Sequence, residues 1–397
     1  MNFVFISPNF PHTYWNFCDR LRRNGANVLG IGDAPYDDLE DGLKGALTEY
    51  YKVSSLEDYD QVFRAVAFFS FKYGKIDWIE SLNEYWLEQD ARLRTDFNVT
   101  TGMQTDRIGF IKDKSLMKKM YQDGKIPTAR QSKVTTREAA LAFIDKVGYP
   151  VIVKPAIGVG AADTWKLKNE EDLNAFYKAL PEIPYVMEEF MVGDLCSYEA
   201  IMDADCEPLF ENMTIWPTPI MDIVNEDLNL HYYTCPDVPE GMREIGRRTA
   251  KAFGVARRFV HLEFFRLTKE MKGLGKVGDY AGLEVNMRPP GGYTPDMINF
   301  AHSADVYQIY ADMVTFNERR SPEAEDKYYC AYAGRKEGHN YVHSHEEIMD
   351  KYGSVMVMQE EMPPVNWPQM GRFMYTVKLK TMEEVQEFTS FVQSETK

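Results

Sequence analysis

Two short segments carry acidic and amide side chains in a pattern that can bind a metal ion. The segments are His261–Leu267 and Gly282–Arg288, and both alternate polar with apolar residues as strands do. If the two strands pair antiparallel, the carboxylates of Glu263 and Glu284 and the amide oxygen of Asn286 converge on one face. These hard oxygen donors suit Mg²⁺ that bridges nucleotide phosphates.

The alternative is an exposed strand pair whose Glu and Asn side chains are merely solvated. Against it, apolar residues at the intervening positions mark the opposite face as buried, namely Leu262, Phe264, Leu283, Val285 and Met287. The run Pro289–Gly292 follows Arg288 and predicts a rigid turn into a helix whose N-terminus could meet an anion. We therefore interpret the strand pair as a functional site.

A second signal is the lysine that closes the apolar strand Val151–Lys154. Burying an ammonium group without a partner is costly, so Lys154 indicates an anion nearby. The lysine is followed by small residues whose backbone can approach phosphate oxygens closely, namely Ala156, Gly158, Gly160, Ala161 and Ala162. A lysine that reaches out to solvent is the alternative. The position upstream of the acidic strand pair favours phosphate binding.

A third signal is an apolar strand, beginning near Tyr185, that ends in Glu188 and Glu189 and is followed by a turn at Gly193. Its extended backbone could offer peptide groups to the edge of an adenine. Taken alone, this pattern favours an edge strand with exposed acids.

Two other patterns resemble ligand sites but are interpreted differently. The stretch from Gly273 to Gly278 matches GxGxxG, yet it lies between two predicted strands of a hairpin rather than between a strand and a helix. We interpret it as a mobile basic loop near the nucleotide. His339, His343 and His345 lack cysteine partners and a clear ligand spacing, which favours a polar loop over a zinc site.

Alternating strands and helices position these residues. The chain opens with a strand at Phe3–Ser7, a helix at about 13–24 and a strand at Ala26–Gly32, which predicts a parallel, Rossmann-like unit. Its first turn has no glycine-rich phosphate loop, so dinucleotide binding is not expected. Asn83 and Glu84 follow the later strand Ile76–Ser81, at the end where open α/β sheets place ligand contacts. Residues 113–188 then predict a small α+β unit.

Composition limits the class of protein. With 397 residues, 44% hydrophobic and 27% charged, the chain is long enough for two or three compact units. A net charge of -16 argues against nucleic acid as a partner. No apolar run is long enough to cross a bilayer, and neither a signal peptide nor a membrane partner is expected. Five scattered cysteines without CxxC spacing favour free thiols and a cytoplasmic location.

In their order along the chain, the three signals resemble the ATP-grasp superfamily over roughly residues 106–301. The carboxylate–amine ligase branch, which includes L-amino acid ligases and D-alanine–D-alanine ligase, is the nearest. The resemblance implies a Rossmann-like domain at residues 1–105, which precedes the ATP-grasp fold. It further implies a lid subdomain at 106–192, a catalytic subdomain at 193–325 and a C-terminal α/β subdomain at 326–397.

The resemblance also implies three groups of site residues. Those that contact ATP are Lys114, Lys154, Gly158, Gly160, Ala161, Glu188, Glu189, Phe190 and Met191. Those that bind Mg²⁺, or Mn²⁺ in its place, are Glu263, Glu284 and Asn286. Those that face the substrates are Glu84, His261 and Arg288, with Lys154 and Arg288 in catalytic roles. One departure is Leu195, which stands where the family usually has the glutamate that holds the ribose hydroxyls, so Asp194 or another acid would have to replace it.

The activity implied is an ATP- and magnesium-dependent ligation. A carboxylate substrate becomes an acyl phosphate, and an amine substrate then attacks it, with release of ADP and phosphate. A carboxylase, a carbamoyl-phosphate synthase-like enzyme and a nucleotide-binding regulatory protein without catalysis are the alternatives. A homodimer is expected only by analogy.

Overall fold

The structure is a computed structural model that describes residues 1–157, 163–180, 182–218, 223 and 226–396. No helix within these ranges combines the length and the apolar content that a bilayer crossing requires.

The N-terminal part is a four-stranded parallel sheet with helices on both faces. Its strands are β1 (Asn2–Ile6), β2 (Asn27–Gly32), β3 (Glu49–Lys52) and β4 (Trp78–Glu80), and its helices are α1 (Trp15–Arg23), α2 (Asp41–Ala46), α3 (Tyr59–Tyr73) and α4 (Leu87–Asp96). The strand order is β3-β2-β1-β4. A separate apolar cluster covers each face, so every residue of β1 is buried. The predicted Rossmann-like unit is confirmed.

A small antiparallel sheet follows two helices. The helices are α5 (Thr105–Lys112) and α6 (Lys114–Asp123), and the strands are β5 (Gln131–Lys133), β6 (Val151–Pro155), β7 (Trp165–Leu167) and β8 (Tyr185–Glu189). The order is β5-β8-β6-β7. Two further helices, α7 (Arg137–Val147) and α8 (Glu170–Ala179), contribute to one apolar cluster with this sheet. This is the predicted α+β unit, and it places the end of β6 beside β8.

The remaining strands form one eight-stranded antiparallel sheet. They are β9 (Gly193–Met202), β10 (Pro208–Trp216), β11 (His231–Thr234), β12 (Arg258–Leu267), β13 (Tyr280–Asn286), β14 (Tyr329–Arg335), β15 (Met356–Glu361) and β16 (Phe373–Leu379). The order is β13-β12-β9-β10-β11-β14-β16-β15. The associated helices are α9 (Glu240–Phe253), α10 (Thr294–His302), α11 (Val306–Phe316), α12 (His345–Tyr352), α13 (Trp367–Met370) and α14 (Met382–Gln393). Strands on both sides of residue 326 share this sheet. The boundaries between the four predicted domains remain predictions.

A buried ion cluster joins the parallel sheet to the large sheet. Glu80, at the end of β4, accepts hydrogen bonds from the guanidinium group of Arg258 on β12. Arg94 on α4 lies 2.9 Å from the same carboxylate, and all three side chains are almost completely buried. Arg258 also donates to the carbonyl oxygen of Met287. The cluster therefore fixes the end of β4 next to the segment that carries Arg288.

Candidate active site

The candidate metal-binding residues lie opposite one another on two paired strands. β12 and β13 are antiparallel, with Glu263 opposite Glu284 and His261 opposite Asn286. Asn286 Nδ2 lies 3.4 Å from Glu263 Oε1. The predicted antiparallel pairing is confirmed, and with it the convergence of two carboxylates and one amide on one face of the sheet.

One residue of the predicted buried face lies elsewhere. Leu262, Phe264, Val285 and Met287 are buried in a single cluster as predicted. Leu283 instead packs, partly buried, against a different cluster that includes Met191. The reason is a register shift after Glu263, because a bulge adds one residue to β13 and interrupts strict alternation. The prediction for Leu283 was therefore wrong.

The two predicted phosphate-binding lysines both face acidic residues of the site. Lys114 begins α6, whose first turn is capped by the Asp113 side chain. Its Nζ lies 3.1 Å from Glu284 Oε1, and its backbone N–H donates to the carbonyl oxygen of Ala156, just after β6. Lys154 at the end of β6 lies 2.6 Å from Glu188 Oε2. The structure thus brings both lysines to the acidic strand pair or to β8.

The carboxylate of Glu188 is surrounded by donors. Besides Lys154, it lies 3.2 Å from the Nζ of Lys118, and it accepts a 2.9 Å hydrogen bond from Gln131. Burial alone would raise the pKa of Glu188, but Lys154 and Lys118 outweigh that effect and lower it to about 2. In this structure its side chain is a partner of lysines, whereas the sequence predicts a contact with adenine.

Lys118 is a site residue that sequence reasoning missed. It stands four residues after Lys114 on α6, so both side chains occupy one helix face. It is only 7% exposed and donates to Thr128 Oγ1. This i, i+4 lysine pair is the signal that would have revealed it.

The other predicted adenine-binding residues are distributed around β8. The Glu189 carboxylate makes a bidentate pair with Arg130. The ammonium group of Lys166 lies 4.4 Å from the ring centroid of Phe190. Met191 belongs to an apolar cluster with Ala129, Leu267, Leu274 and Ala281, against which Phe265, Met271 and Leu283 pack. Gly158, Gly160 and Ala161 lie outside the described residues.

Arg288 meets the N-terminal unit at Glu84. The Nε atom of Arg288 lies 3.4 Å from Glu84 Oε2, and the Nζ of Lys112 lies 2.8 Å from Glu84 Oε1. All three side chains are largely buried. The two predicted substrate residues are therefore adjacent, although they are distant in the sequence. Lys112 was not predicted, and nothing in its local sequence distinguishes it.

His261 lies between two carboxylates. Its Nδ1 is 2.9 Å from Glu199 Oε1, and its Nε2 is 3.4 Å from Glu263 Oε1. Burial disfavours the charged ring, but hydrogen bonds to Glu199 and Glu263 outweigh burial and raise the pKa of His261 to about 9. Glu199 was also missed. A charged residue within a mainly apolar strand is the signal, the same one that revealed Lys154.

The facing carboxylates fit a divalent cation. Burial and the neighbouring Glu263 raise the pKa of Glu284, while Lys114 opposes the shift. A cation between the two carboxylates would relieve this like-charge contact. Across the part of the chain that the structure describes, no three His, Cys, Asp or Glu side chains are grouped to hold a metal alone. Two carboxylates and the Asn286 amide suit an ion that takes its remaining ligands from phosphate oxygens.

The three C-terminal histidines have separate partners. His339 pairs with Asp227 and Glu395. The ring of His343 stacks on Phe391, and His345 contacts the hydroxyl of Tyr375. The positions of His339 and His343 agree with the interpretation of a polar loop, whereas His345 is the first residue of α12.

Comparison with known proteins supports the same fold. Residues 113–184 match the family described as carbamoyl-phosphate synthase L chain, ATP binding domain. Among solved structures, an L-amino acid ligase from Bacillus licheniformis matches with a TM-score of 0.69 at 15% identity, over 98% of this chain and 95% of that protein. A phosphoribosylglycinamide synthetase from Anaerococcus prevotii has a TM-score of 0.66 at 14% identity, with coverage of 98% and 96%.

A carboxylase is similar to the same degree. The biotin carboxylase domain of the Hydrogenobacter thermophilus 2-oxoglutarate carboxylase, solved with MgADP, ADP and bicarbonate, has a TM-score of 0.67 at 14% identity. The match covers 97% of this chain and 87% of that one. The similarity over the whole chain and the matched ATP-binding segment confirm the resemblance predicted from the sequence: the chain has the ATP-grasp fold.

Proposed function

We propose that this protein is an ATP- and magnesium-dependent ligase that activates a carboxylate as an acyl phosphate and couples it to an amine. The observation that carries the proposal is the register of β12 and β13. It places Glu263 opposite Glu284 and beside Asn286, with Lys114 within 3.1 Å of the Glu284 carboxylate. The proposed metal ligands and the proposed phosphate-binding lysine thus lie side by side.

Lys154 on the small sheet and Lys118 on α6 would supply positive charge for the phosphates. Lys154 and Lys118 share the single carboxylate of Glu188, so the cluster has one excess positive charge. Fixed charges of this kind in a buried site stabilise negative charge on a transferred phosphoryl group. The apolar cluster around Met191 offers a face for the adenine ring.

Glu263, Glu284 and Asn286 would hold Mg²⁺. When bound, the ion supplies charge neutralisation between phosphate oxygens and orients the phosphoryl group for transfer. The protein's own contribution is to fix three oxygen donors on neighbouring strands, where the sheet hydrogen bonds prevent them from separating.

Arg288 and Glu84 form the substrate end of the site. A guanidinium group can bind a substrate carboxylate or acyl phosphate, and a carboxylate can bind an ammonium group. The two side chains are 3.4 Å apart, so together they suit the two charged ends of an amino acid. This pair, and the similarity to an L-amino acid ligase, favour an amino acid as the carboxylate substrate.

A second candidate is a carboxylase or a carbamoyl-phosphate synthase-like enzyme. The description of the matched ATP-binding domain favours it, as does the TM-score of 0.67 with the biotin carboxylase domain. In that reaction bicarbonate replaces the organic carboxylate. Bicarbonate alone would then stimulate ATP hydrolysis.

The test is phosphate release from ATP and Mg²⁺ during a screen of amino acids, singly and in pairs, with bicarbonate as a separate arm. Release that requires two amino acids, with a coupled product detected by mass, would support the ligase. Release with bicarbonate alone would favour the second candidate. Bound ATP without release in any arm would contradict both and favour a nucleotide-binding regulatory protein.

A further inference from the structure

Two rows of polar side chains cross the large sheet behind the candidate metal site. In the first row, Asn286, His261, Glu199 and Asn212 stand opposite one another on β13, β12, β9 and β10. The second row comprises Glu284, Glu263, Ser197 and Thr214 on the same four strands. Residues paired in this way share a face, so Glu199 lies on the metal-site face, one strand further from the metal ligands.

Glu199 is completely buried and accepts four hydrogen bonds. Oε1 accepts from Ser197 at 2.5 Å and lies 2.9 Å from His261 Nδ1. Oε2 accepts from Asn212 at 2.6 Å and from Thr214 at 3.1 Å. Four donors saturate the acceptor sites that a side-chain carboxylate offers, so the group is held in one orientation.

The surrounding residues fix the direction of these bonds. The hydroxyl oxygen of Ser197 accepts from Trp216 Nε1, and the oxygen of Thr214 accepts from Asn212. Each hydroxyl therefore donates its proton to Glu199. Because Glu199 can only accept, Nδ1 of His261 is the donor in their contact.

His261 consequently presents its other nitrogen to the metal site. With Nδ1–H directed at Glu199, Nε2 faces Glu263 at 3.4 Å. The ring is only 6% exposed, so it has little freedom to turn. Glu199 and Glu263 are thus linked through a single imidazole.

We propose that Glu199 is a positioning residue: it fixes the His261 ring, and through that ring it orients Glu263 for binding of the metal–nucleotide complex. The inference rests on the proposed function, because it takes Glu263 as a metal ligand. Mutation of a residue that contacts a metal ligand directly, as His261 contacts Glu263, typically changes metal affinity by about 10–100-fold, and Glu199 acts through that residue.

The test is the variant Glu199→Gln. The amide keeps the shape of the side chain, but it removes the negative charge that faces His261 and replaces one accepting oxygen with an N–H group that meets other donors in either orientation. The His261 ring is therefore held less firmly. The measured quantity is ADP affinity by calorimetry with Mn²⁺ and with EDTA. We expect the Mn²⁺-dependent gain in ADP affinity to fall about tenfold or more, while affinity in EDTA stays unchanged.

A matched control lies on the opposite face of the same sheet. Glu211 on β10 is a largely buried carboxylate bound by Arg243, Arg247 and Tyr198. Glu211→Gln removes a comparable buried charge without touching His261. It should therefore lower stability while leaving the Mn²⁺-dependent gain at the wild-type value.

A second variant keeps the test decisive if Glu199→Gln does not fold. In His261→Asn the side-chain amide can still donate to Glu199, but no atom replaces Nε2. We expect the same loss as in Glu199→Gln, and no further loss in the double variant. A wild-type Mn²⁺-dependent gain in folded Glu199→Gln, or in His261→Asn, would overturn the inference alone. Absence of any such gain in the wild-type protein would overturn the proposed function as well.

Discussion

Buried charges dominate the residues around the site. Glu188, Glu263 and Glu284 each lie beside at least one cationic or ring nitrogen group, at distances of 2.6–3.4 Å. Ionised groups in such surroundings are costly unless they are paired, so removing one partner has large effects. Single substitutions that preserve shape and delete charge are therefore informative probes of this protein.

The first prediction concerns Glu284→Gln. The amide lacks the negative charge of a carboxylate and binds Mg²⁺ more weakly, so we expect ATP turnover to fall by at least about 100-fold, the upper end of the loss typical for partners behind metal ligands. Circular dichroism should show an unchanged fold, because the replacement is isosteric and removes the like-charge contact between Glu284 and Glu263. Glu171→Gln, on the exposed first turn of α8, is the control and should retain full activity. Wild-type turnover in Glu284→Gln would contradict the metal assignment.

The second prediction concerns the pH dependence of stability and His302. Burial lowers the pKa of His302 from its ordinary 6.5 to about 4, and its Nε2 contacts Asn212 Oδ1 at 2.8 Å. The unfolded chain binds the proton more readily between these values. The stability contributed by neutral His302 is thus fully present above pH 6.5 and is lost as the pH falls towards 4, by up to about 3 kcal/mol.

The measurement is urea unfolding from pH 7 to pH 4 for the wild type and His302→Gln. Glutamine keeps a donor for Asn212 but does not titrate. The stability difference between the two proteins should therefore shrink as the pH falls. Parallel curves would show that His302 does not contribute to the acid sensitivity.

Several site residues were predictable because strand alternation specifies a face. Glu263, Glu284 and Asn286 could be grouped from two short segments whose apolar neighbours identify the buried side. Glu199 could not be placed in the same way, because its partners on β12 and β10 are separated from it by 62 and 13 residues. Only the register of the folded sheet brings them together.

At the scale of elements, the position of β4 against β12 decides where Glu84 stands. Glu80 holds both Arg258 and Arg94 in a site with almost no solvent exposure. Glu84 follows four residues later and reaches Arg288. The ion cluster thus aligns β4 with β12, and with them the proposed substrate-binding pair Glu84 and Arg288.

The third prediction concerns the buried ion cluster around Glu80. Glu80→Gln leaves the buried guanidinium group of Arg258 without a charged partner, which should cost about 3–5 kcal/mol. Arg94 keeps the more distant carboxylate of Asp90, at 3.9 Å. The exposed pair Glu207–Lys251 provides the control, since Glu207→Gln should change stability by less than about 1 kcal/mol. Urea unfolding of both variants measures the difference. Equal midpoints would mean that the buried cluster contributes no more than a surface ion pair.

Elements with strong local signals were predicted closely, and irregular ones were not. The bounds of α7 are readable in the sequence, because Thr136 caps its first turn and Gly148 follows its last. The bulge in β13 depends on pairing with β12, so no local pattern indicated it, and Leu283 was assigned to the wrong face. The i, i+4 pair of Lys114 and Lys118 was readable from the sequence but was overlooked.

At the scale of the whole molecule, the candidate site lies where three units meet. The N-terminal unit contributes Glu84, the small sheet contributes Lys154 and Glu188, and the large sheet contributes the proposed metal ligands. Fold similarity alone does not choose between ligase and carboxylase, since both classes match with nearly equal TM-scores. The choice depends on whether the proposed substrate-binding pair, Glu84 and Arg288, accepts an organic carboxylate or bicarbonate.

The fourth prediction concerns ligand binding across these units. A ligand that binds only the folded state stabilises it, by about 2.7 kcal/mol at 100 times its Kd. Mg²⁺ with ATP should therefore raise the Tm of the wild type by several degrees. Lys154→Met removes one of the two ammonium groups paired with Glu188 and should abolish most of that rise. An equal shift in both proteins would place the nucleotide elsewhere.

The most direct test of the central claim is transfer of oxygen from a carboxylate to phosphate. The protein is incubated with ATP, Mg²⁺ and a mixture of amino acids carrying ¹⁸O in their carboxylates, and the released phosphate is examined by mass spectrometry. Formation and breakdown of an acyl phosphate predicts one ¹⁸O atom in the phosphate. Unlabelled phosphate, with ATP consumed and an amide product formed, would contradict an acyl phosphate intermediate.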